Sequence, residues 1–138
     1  MTSHVIPALS LALISLALPA LADGDAANGE KEFRKCKSCH SISSADADLV
    51  KGGKTGPNLY GVVGRTAGTE EGFNYGDDIV AAGEAGLVWD QAKLAEYIAD
   101  PKAFLQAALD DKSAKSRMSF KMAKGAEDVA AYLATFSQ

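Results

Sequence analysis

Apolar side chains recur at helical spacing near the C-terminal end of the chain. The clearest set comprises Val129, Tyr132, Leu133 and Phe136, which occupy the i, i+3, i+4 and i+7 positions of one helix face. Two acidic residues precede this set, in the first turn, where the helix dipole favours negative charge. The pattern predicts an amphipathic helix that buries one of its faces.

Four other helices are predicted earlier in the chain. Asp25, Asp90 and Asp100 are each placed to cap a helix with a side-chain oxygen. Pro101 suits the first turn of the last of these helices, because an N–H group at that position has no intrahelical partner. The predicted ranges are residues 26–37, 77–82, 91–99 and 101–108.

Residues 41–72 form a long stretch without helical or alternating periodicity. They are rich in glycine, which indicates loop structure. So long a loop is unusual in a compact domain unless it has a surface to wrap. A buried cofactor would supply that surface and would compensate for the small number of apolar side chains on the predicted helices. The predicted fold class is therefore all-α, with helices joined by long irregular connections.

The first 22 residues differ in character from the rest of the chain. Residues 5–18 are apolar and uncharged, and Pro19 and the small-x-small sequence Ala20-Leu21-Ala22 follow them. These features predict a secretory signal peptide over residues 1–22, cleaved after Ala22, although residues 1–4 carry no Lys or Arg. An uncleaved anchor is the alternative, but a spanning helix needs about 20 apolar residues. The expected mature protein is one domain over residues 23–138.

The formal net charge of −4 argues against nucleic acid as a partner. This average conceals two basic groups within an acidic chain. A run of like charges usually marks only a solvated face, so the groups do not by themselves indicate a docking surface. The first group comprises Lys31, Arg34, Lys35 and Lys37, and the second comprises Lys112, Lys115, Arg117, Lys121 and Lys124.

The two cysteines of the chain lie in one short motif, Cys36-Lys37-Ser38-Cys39-His40. This spacing is typical of covalent haem c attachment. Each thiol can form a thioether bond with one vinyl group of the haem, and the imidazole that follows can ligate the haem iron. The motif therefore predicts a covalently bound haem.

Three other interpretations of the motif are weaker. A structural zinc site needs four Cys or His ligands, and His4 is the one further candidate, inside the predicted signal peptide. A thioredoxin-like redox pair would lie in a βαβ pattern, which the sequence around Cys36 does not show. A disulfide between Cys36 and Cys39 would close too small a loop to stabilise the fold much.

The second axial ligand decides what such a haem does. The mature chain has no other His, which leaves Met118 and Met122 as candidates. Methionine is often core filler, but a methionine among Lys, Ser and Arg has little core to fill. The context therefore favours ligation by one of the two without choosing between them.

A peroxidase-like or gas-binding haem enzyme would need an open iron position instead. A helical binding module without cofactor would leave residues 41–72 with no surface to wrap.

A series of short motifs extends over the whole mature region. They are Gly29 and Phe33, the Cys36 to His40 motif, Thr55-Gly56-Pro57-Asn58-Leu59, Gly64-Arg65, Phe73-Asn74-Tyr75, Trp89, Tyr97, Arg117-Met118-Ser119-Phe120 and residues 127–133. In order and approximate spacing this series resembles the class I cytochromes c, and within them the bacterial cytochromes c2. The resemblance implies a class I cytochrome c fold, in which helices and long loops wrap around one covalent haem c. Relative to short mitochondrial members, extra residues occur at 45–52 and 104–113.

The resemblance also implies which residues ligate the iron. The family's ligand methionine is followed two residues later by Phe, which matches Met118 and Phe120. Met122 has no such partner. The backbone carbonyl of Pro57 would accept a hydrogen bond from the ring of His40 and so orient it. The implied axial ligands are therefore His40 and Met118.

Further residues are implied to surround the haem. Arg65, Tyr75 and Trp89 would bond to the haem propionates or screen them. Tyr97 and Ser116 would adjust the methionine side of the pocket. Together with the two cysteines and Pro57, these residues complete the candidate cofactor-binding set.

The implied function is that of a soluble periplasmic carrier of single electrons, not an enzyme. The expected donor is a cytochrome bc1-type complex, and the expected acceptor is a photosynthetic reaction centre, a terminal cytochrome oxidase or both. His/Met ligation raises the reduction potential. Because the two axial bonds would bring the two basic groups to opposite sides of one haem, docking is expected to use basic residues near the haem edge. A monomer without stable membrane insertion is expected.

Overall fold

The computed structural model describes residues 24–136, so the predicted signal peptide over residues 1–22 lies outside the described residues. Within that range the chain forms five α-helices and a two-stranded sheet. None of these helices is both long and apolar enough to cross a bilayer. The helices are α1 (Ala26–Glu32), α2 (Asp77–Glu84), α3 (Gln91–Ala99), α4 (Pro101–Ala108) and α5 (Ala126–Ala134).

Side-chain caps fix the beginnings of α3 and α4. The Asp90 carboxylate accepts a hydrogen bond from the Lys93 N–H at 2.7 Å, and the Asp100 carboxylate accepts one from the Ala103 N–H at 3.1 Å. Pro101 occupies the first turn of α4. Both helices have the predicted bounds. A capping residue and a proline fix the first residue of a helix by local interactions, so the beginning can be read from the sequence.

Two helices differ from their predicted ranges. α1 is capped by Asp25 but ends at Glu32, and the chain then tightens into a 3-10 turn over Phe33–Lys35 instead of remaining α-helical to residue 37. α2 continues to Glu84, beyond the predicted end at residue 82. Its last turn contains buried Ala82 and Gly83, and residues this small give no clear apolar period.

α1 and α3 both pack against α5 and form one wall of the interior. Gly29 lies at the contact of α1 with α5, where a Cβ atom would be 1.9 Å from the Asp128 carbonyl oxygen, so only glycine fits. The ring centroids of Phe33 and Tyr132 are 5.7 Å apart at the same contact. Buried apolar side chains of this wall include Phe33, Leu94, Ile98, Val129 and Leu133.

Part of the 41–72 segment is a β-hairpin. Ile42–Ser43 (β1) pairs antiparallel with Asp48–Val50 (β2), with an irregular register between Ile42 and Ser43. The prediction of continuous loop is wrong here, because strands of two and three residues are too short to show an alternating pattern.

The second long irregular segment joins α4 to α5 and covers residues 109–125; we call it the Met118 loop. Two buried side chains anchor it, since Ala114 is 1% exposed and Met122 is 3% exposed. The residues between these anchors are exposed or half-buried. The loop is therefore fixed at two points and carries Met118 between them.

Candidate haem site

A cavity of about 360 Å³ lies between the α1–α3–α5 wall and the long irregular segments. Its lining is mostly apolar and includes Phe33, Leu94, Ile98 and Leu133. Every residue that the sequence assigns to haem binding or iron ligation lines this one cavity. These residues are Cys36, Cys39, His40, Pro57, Arg65, Tyr75, Trp89, Tyr97 and Met118.

The turn that directly follows the 3-10 segment carries the two thiols. The N–H groups of Cys39 and His40 both donate to the Cys36 carbonyl, at 3.1 and 2.9 Å, so one tight turn carries the whole motif. No disulfide joins the two cysteines. Burial raises the pKa of Cys36 to about 11, whereas hydrogen bonds from Thr55 and then Ser38 lower the pKa of the exposed Cys39. The two sulfurs therefore line the same cavity but differ in solvent access and acidity.

His40 is held with one ring nitrogen free for a metal. Its Nδ1 lies 2.8 Å from the Pro57 carbonyl oxygen, and because a carbonyl only accepts, Nδ1 carries the hydrogen. Burial lowers the pKa of the ring, although the Pro57 bond acts in the opposite sense, so the imidazole is neutral at pH 7. Gly56 backs the ring, since a Cβ there would lie 2.3 Å from His40 Cε1. A neutral imidazole with Nε2 unprotonated is the form that ligates iron.

The two candidate methionines lie in different surroundings. Met118 lines the cavity, whereas Met122 belongs to the hydrophobic core and its N–H donates to the Ile98 carbonyl at 3.1 Å. The Met118 N–H donates to Ser116 Oγ at 3.1 Å, and that oxygen lies 3.3 Å from the hydroxyl of Tyr97. Met122 thus has the packing of core filler, whereas Met118 borders the cavity that the imidazole also borders.

Arg65 and Tyr75 form a polar cluster at another part of the lining. The Arg65 guanidinium forms an ion pair with Glu70 and donates to the carbonyls of Asn58, at 3.0 Å, and Tyr60, at 3.4 Å. The Tyr75 hydroxyl accepts from the Glu70 N–H at 3.1 Å. Burial raises the pKa of Tyr75, which stays a neutral phenol at pH 7. The cluster is suited to hold carboxylate groups of a ligand at this edge.

Trp89 lines the cavity and packs against two other aromatic rings, of which that of Tyr97 also lines it. Trp89 is 5% exposed, and its ring centroid lies 5.1 Å from that of Tyr97 and 5.6 Å from that of Phe104. Burial raises the pKa of Tyr97, so its hydroxyl stays protonated beside Ser116. Trp89 and Tyr97 therefore give this part of the lining a packed aromatic surface.

The two basic groups differ in how far their charges are neutralised. Lys35, Lys115 and Arg117 line the cavity. Lys35 is paired with Glu32, and Lys121 is paired with Asp100 at 2.7 Å. The salt bridges found within residues 24–136 include neither Lys37 nor Lys124, and both residues are exposed.

Sequence reasoning assigned no role to three residues that support the site. Asn58 bonds to both the N–H and the carbonyl of Ser43, at 2.9 and 2.8 Å, and so ties the hairpin to the segment of Pro57. Glu70 pairs with Arg65, and Asp78 accepts a hydrogen bond from the Met118 loop. Asn58 stands in a quoted motif, but Glu70 and Asp78 gave no signal beyond their charge.

The functional groups and the apolar side chains that line the cavity fit a covalently attached haem. The cavity volume falls within the usual range for cofactor pockets, and the apolar walls suit a macrocycle. Two thiols, an imidazole nitrogen and a thioether border the same space, and the Arg65 guanidinium and the Tyr75 hydroxyl line it as well. This combination matches two thioether bonds, two axial ligands and two propionates.

No protein-family model matches the chain. Similar curated proteins are cytochrome c-551 of Roseobacter denitrificans, which is 60% identical over 94% of this chain and 94% of its own length, and cytochrome c2 of Rhodobacter capsulatus, which is 61% identical over 93% of each.

Similar solved structures are those of cytochrome c2 from Rhodobacter capsulatus and from Paracoccus denitrificans. The first has a TM-score of 0.80 and 64% identity, and the match covers 81% of this chain and 97% of that one. The second has a TM-score of 0.81 and 57% identity, with 83% and 98% covered. These matches confirm the predicted fold and the predicted cofactor. The chain therefore belongs to the class I cytochromes c, in the group of bacterial cytochromes c2, c-550 and c-551, which are electron-transfer proteins and not enzymes and which bind a single covalent haem c.

Proposed function

We propose that this protein is exported to the periplasm and carries single electrons there, with the haem iron held between His40 and Met118. Cys36 and Cys39 would form the two thioether bonds. The observation that carries the proposal is the convergence of an oriented, neutral imidazole and one of the two candidate methionines on a single apolar cavity. Export is supported by the predicted signal peptide over residues 1–22, with cleavage after Ala22.

The chemistry that the haem supplies is a one-electron change at its iron. The chain sets the conditions for this change. Pro57 keeps His40 oriented and makes it a better donor. The soft thioether of Met118 favours the reduced state and raises the potential. Trp89 and the aliphatic walls limit water, which acts in the same direction because the oxidised state carries the additional positive charge.

The remaining haem contacts would be polar. Arg65 and Tyr75 would bond to the propionates, with Trp89 screening them, and Tyr97 with Ser116 would hold the loop backbone at Met118. These roles are supported by the positions of the side chains on the cavity and by the hydrogen bond between Met118 and Ser116. Filling both axial positions leaves no site for a substrate at the iron, so electrons would pass through the haem edge.

For partners we propose a cytochrome bc1-type complex as donor and a photosynthetic reaction centre, a terminal cytochrome oxidase or both as acceptor. The resemblance to cytochromes c2 supports this choice. Docking would use the basic residues at the cavity edge, of which Lys35, Lys115 and Arg117 line the cavity and Lys37 and Lys124 lie near them in sequence. The carrier would act as a monomer, because a freely diffusing shuttle must expose the same edge to donor and acceptor in turn.

Timed mixing of the purified haem-loaded protein with each partner tests this proposal. Oxidised protein mixed with a reduced bc1-type complex should be reduced rapidly, and reduced protein mixed with a reaction centre or an oxidase should be oxidised rapidly. Both rates should fall as the salt concentration rises, because opposite charges steer the encounter. Slow reaction with all three complexes would reject the proposed partners.

A further inference from the structure

The Met118 loop is tied to α2 by a contact that spans 37 residues of sequence. The backbone N–H of Lys115 donates to Oδ2 of Asp78 at 2.8 Å. Asp78 is partly buried in the first turn of α2, while its neighbour Asp77 is exposed in the same turn. The Asp78 carboxylate therefore holds the Met118 loop at Lys115, directly after Ala114, the first of its two buried anchors.

A second contact ties the loop to the segment that precedes α2. Nη1 of Arg117 donates to the Asn74 carbonyl at 3.0 Å. Gly76 lies beneath the same side chain, because a Cβ there would be 3.2 Å from Arg117 Cγ. The residue before Met118 and the residue three positions before it are thus both held from the side of α2.

Further contacts of the loop come from α4, where Gln106 Nε2 donates to the carbonyls of Lys112 and Ala114 at 2.7 and 3.3 Å, and from α3 and its end. Ser116 meets the Tyr97 hydroxyl at 3.3 Å, and the Met122 N–H bonds to Ile98. Lys121 pairs with Asp100 at the surface, where both side chains are more than a third exposed, so this pair is expected to be weak. The bond to Asp78 differs from these because it joins a charged carboxylate directly to the loop backbone, and Asp78 itself is partly buried although the bond lies at the surface.

We propose that Asp78 is a positioning residue for the axial ligand: its carboxylate holds the Lys115 backbone and keeps the Met118 loop closed over the cavity. The inference rests on the proposed role of Met118 as the second ligand. An external ligand can replace the thioether only after the loop moves away, so its apparent affinity is reduced by the small fraction of open molecules. Weakening the Asp78 bond raises that fraction.

Imidazole binding to the oxidised haem protein, followed by visible absorption at constant pH, tests the proposal. Asp78→Ala should bind imidazole about five- to tenfold more tightly than the wild type, since the solvent-exposed hydrogen bond to the Lys115 N–H is lost. Asp78→Asn keeps an oxygen acceptor and should show about a twofold increase. Asp77→Ala is the matched control, because it removes the same charge from the same helix turn, and it should bind imidazole as the wild type does.

Equal affinities in Asp78→Ala and Asp77→Ala, or a wild-type affinity in Asp78→Ala, would overturn the proposal. If Asp78→Ala does not fold, wild-type affinity in Asp78→Asn would overturn it instead. Met118→Ala separates this failure from that of the proposed function. If the wild type lacks the far-red absorption band of thioether-ligated ferric haem, or binds imidazole as readily as Met118→Ala, the ligand assignment fails. If the band is present and depends on Met118, only the role of Asp78 is in question.

Discussion

The two sides of the haem cavity are built in different ways. On the histidine side, one tight turn carries the whole motif from Cys36 to His40, and Pro57 fixes the ring directly. On the methionine side, an irregular loop carries Met118, and its backbone is held by residues far away in sequence, such as Asp78 and Ile98. The first side depends on local geometry, and the second depends on tertiary structure.

This difference indicates which axial bond gives way first. The histidine follows directly after a cysteine that we expect to be bonded to the haem, so it cannot move far. The methionine is held by single hydrogen bonds and two buried anchors, Ala114 and Met122. Local openings occur where few buried contacts must be broken. We therefore expect the methionine side to open while the histidine side stays in place.

The largest effect is expected from the thioether bonds of the histidine side. In the wild type, extraction with acidified acetone should leave the haem on the polypeptide. Cys36→Ser and Cys39→Ser should each weaken haem retention or block maturation, and the double variant should lose covalent attachment entirely. Absorption of the pellet and of the extract measures the result. Free extraction of haem from the wild type would exclude covalent attachment.

The methionine side provides the next largest effect. Met118→Ala should open the iron to water or added ligands and lower the reduction potential by about 0.2 V, within the roughly 0.8 V range that axial ligands span. Met122→Leu is close to a volume-conserving change in the core, so its potential should stay near that of the wild type. Redox titration of both variants measures this. The reverse pattern would assign the ligand to Met122.

The same contrast explains what could be predicted from the sequence. The caps Asp90 and Asp100 and the apolar period of α5 are local signals, and the helices that they predicted appear in the structure. The Cys36 to His40 motif is a local signal as well, and its two cysteines and its histidine line one cavity. The choice between Met118 and Met122 was left open by composition and spacing alone, because both lie among polar residues. Only the fold shows that one is buried in the core and the other faces the cavity.

Contacts between distant segments could not be predicted. The ion pair of Glu70 with Arg65 and the bond of Asp78 to Lys115 depend on how loops cross in space. Neither carboxylate belongs to a periodic pattern. The 42–50 hairpin was missed for a related reason, since its strands are stabilised by Asn58 and by burial of Ile42 more than by their own sequence.

Substitution of one glycine on each side allows the rigidity of the two sides to be compared directly. In Gly56→Ala the new methyl group would lie 2.3 Å from the His40 ring, which Pro57 already holds, so we expect the free energy of unfolding to fall by about 1–3 kcal/mol. In Gly76→Ala the atoms nearest to the methyl group belong to the flexible Arg117 side chain, at 3.2 to 3.5 Å. Denaturant unfolding of the two haem-loaded variants should therefore show a clear loss for the first and little change for the second. An equal loss would mean that the two sides are similarly rigid.

The smallest effect is expected from substitutions of surface charges. Their effect on the rate of electron transfer shows whether a partner contacts both sides of the cavity at once. Lys37 belongs to the histidine side and Lys124 to the methionine side, and both are exposed. Charge reversal to Glu at either position should slow bimolecular electron transfer by about two- to fivefold at low salt, because steering by opposite charges is weakened. Rapid mixing with an acceptor over a range of salt concentrations measures the rate.

Lys93 and Lys102 serve as controls for this charge effect. Lys93 is already paired with Asp90 at 3.2 Å, and Lys102 lies on α4; neither residue lines the cavity. Reversal at these positions changes the net charge by the same amount, so it should alter the rate less than reversal at Lys37 or Lys124 if docking is directed to the haem edge. Equal effects at all four positions would mean that only the net charge matters. A reduced rate at Lys37 alone would mean that the partner contacts the rigid histidine side and leaves the Met118 loop free to open.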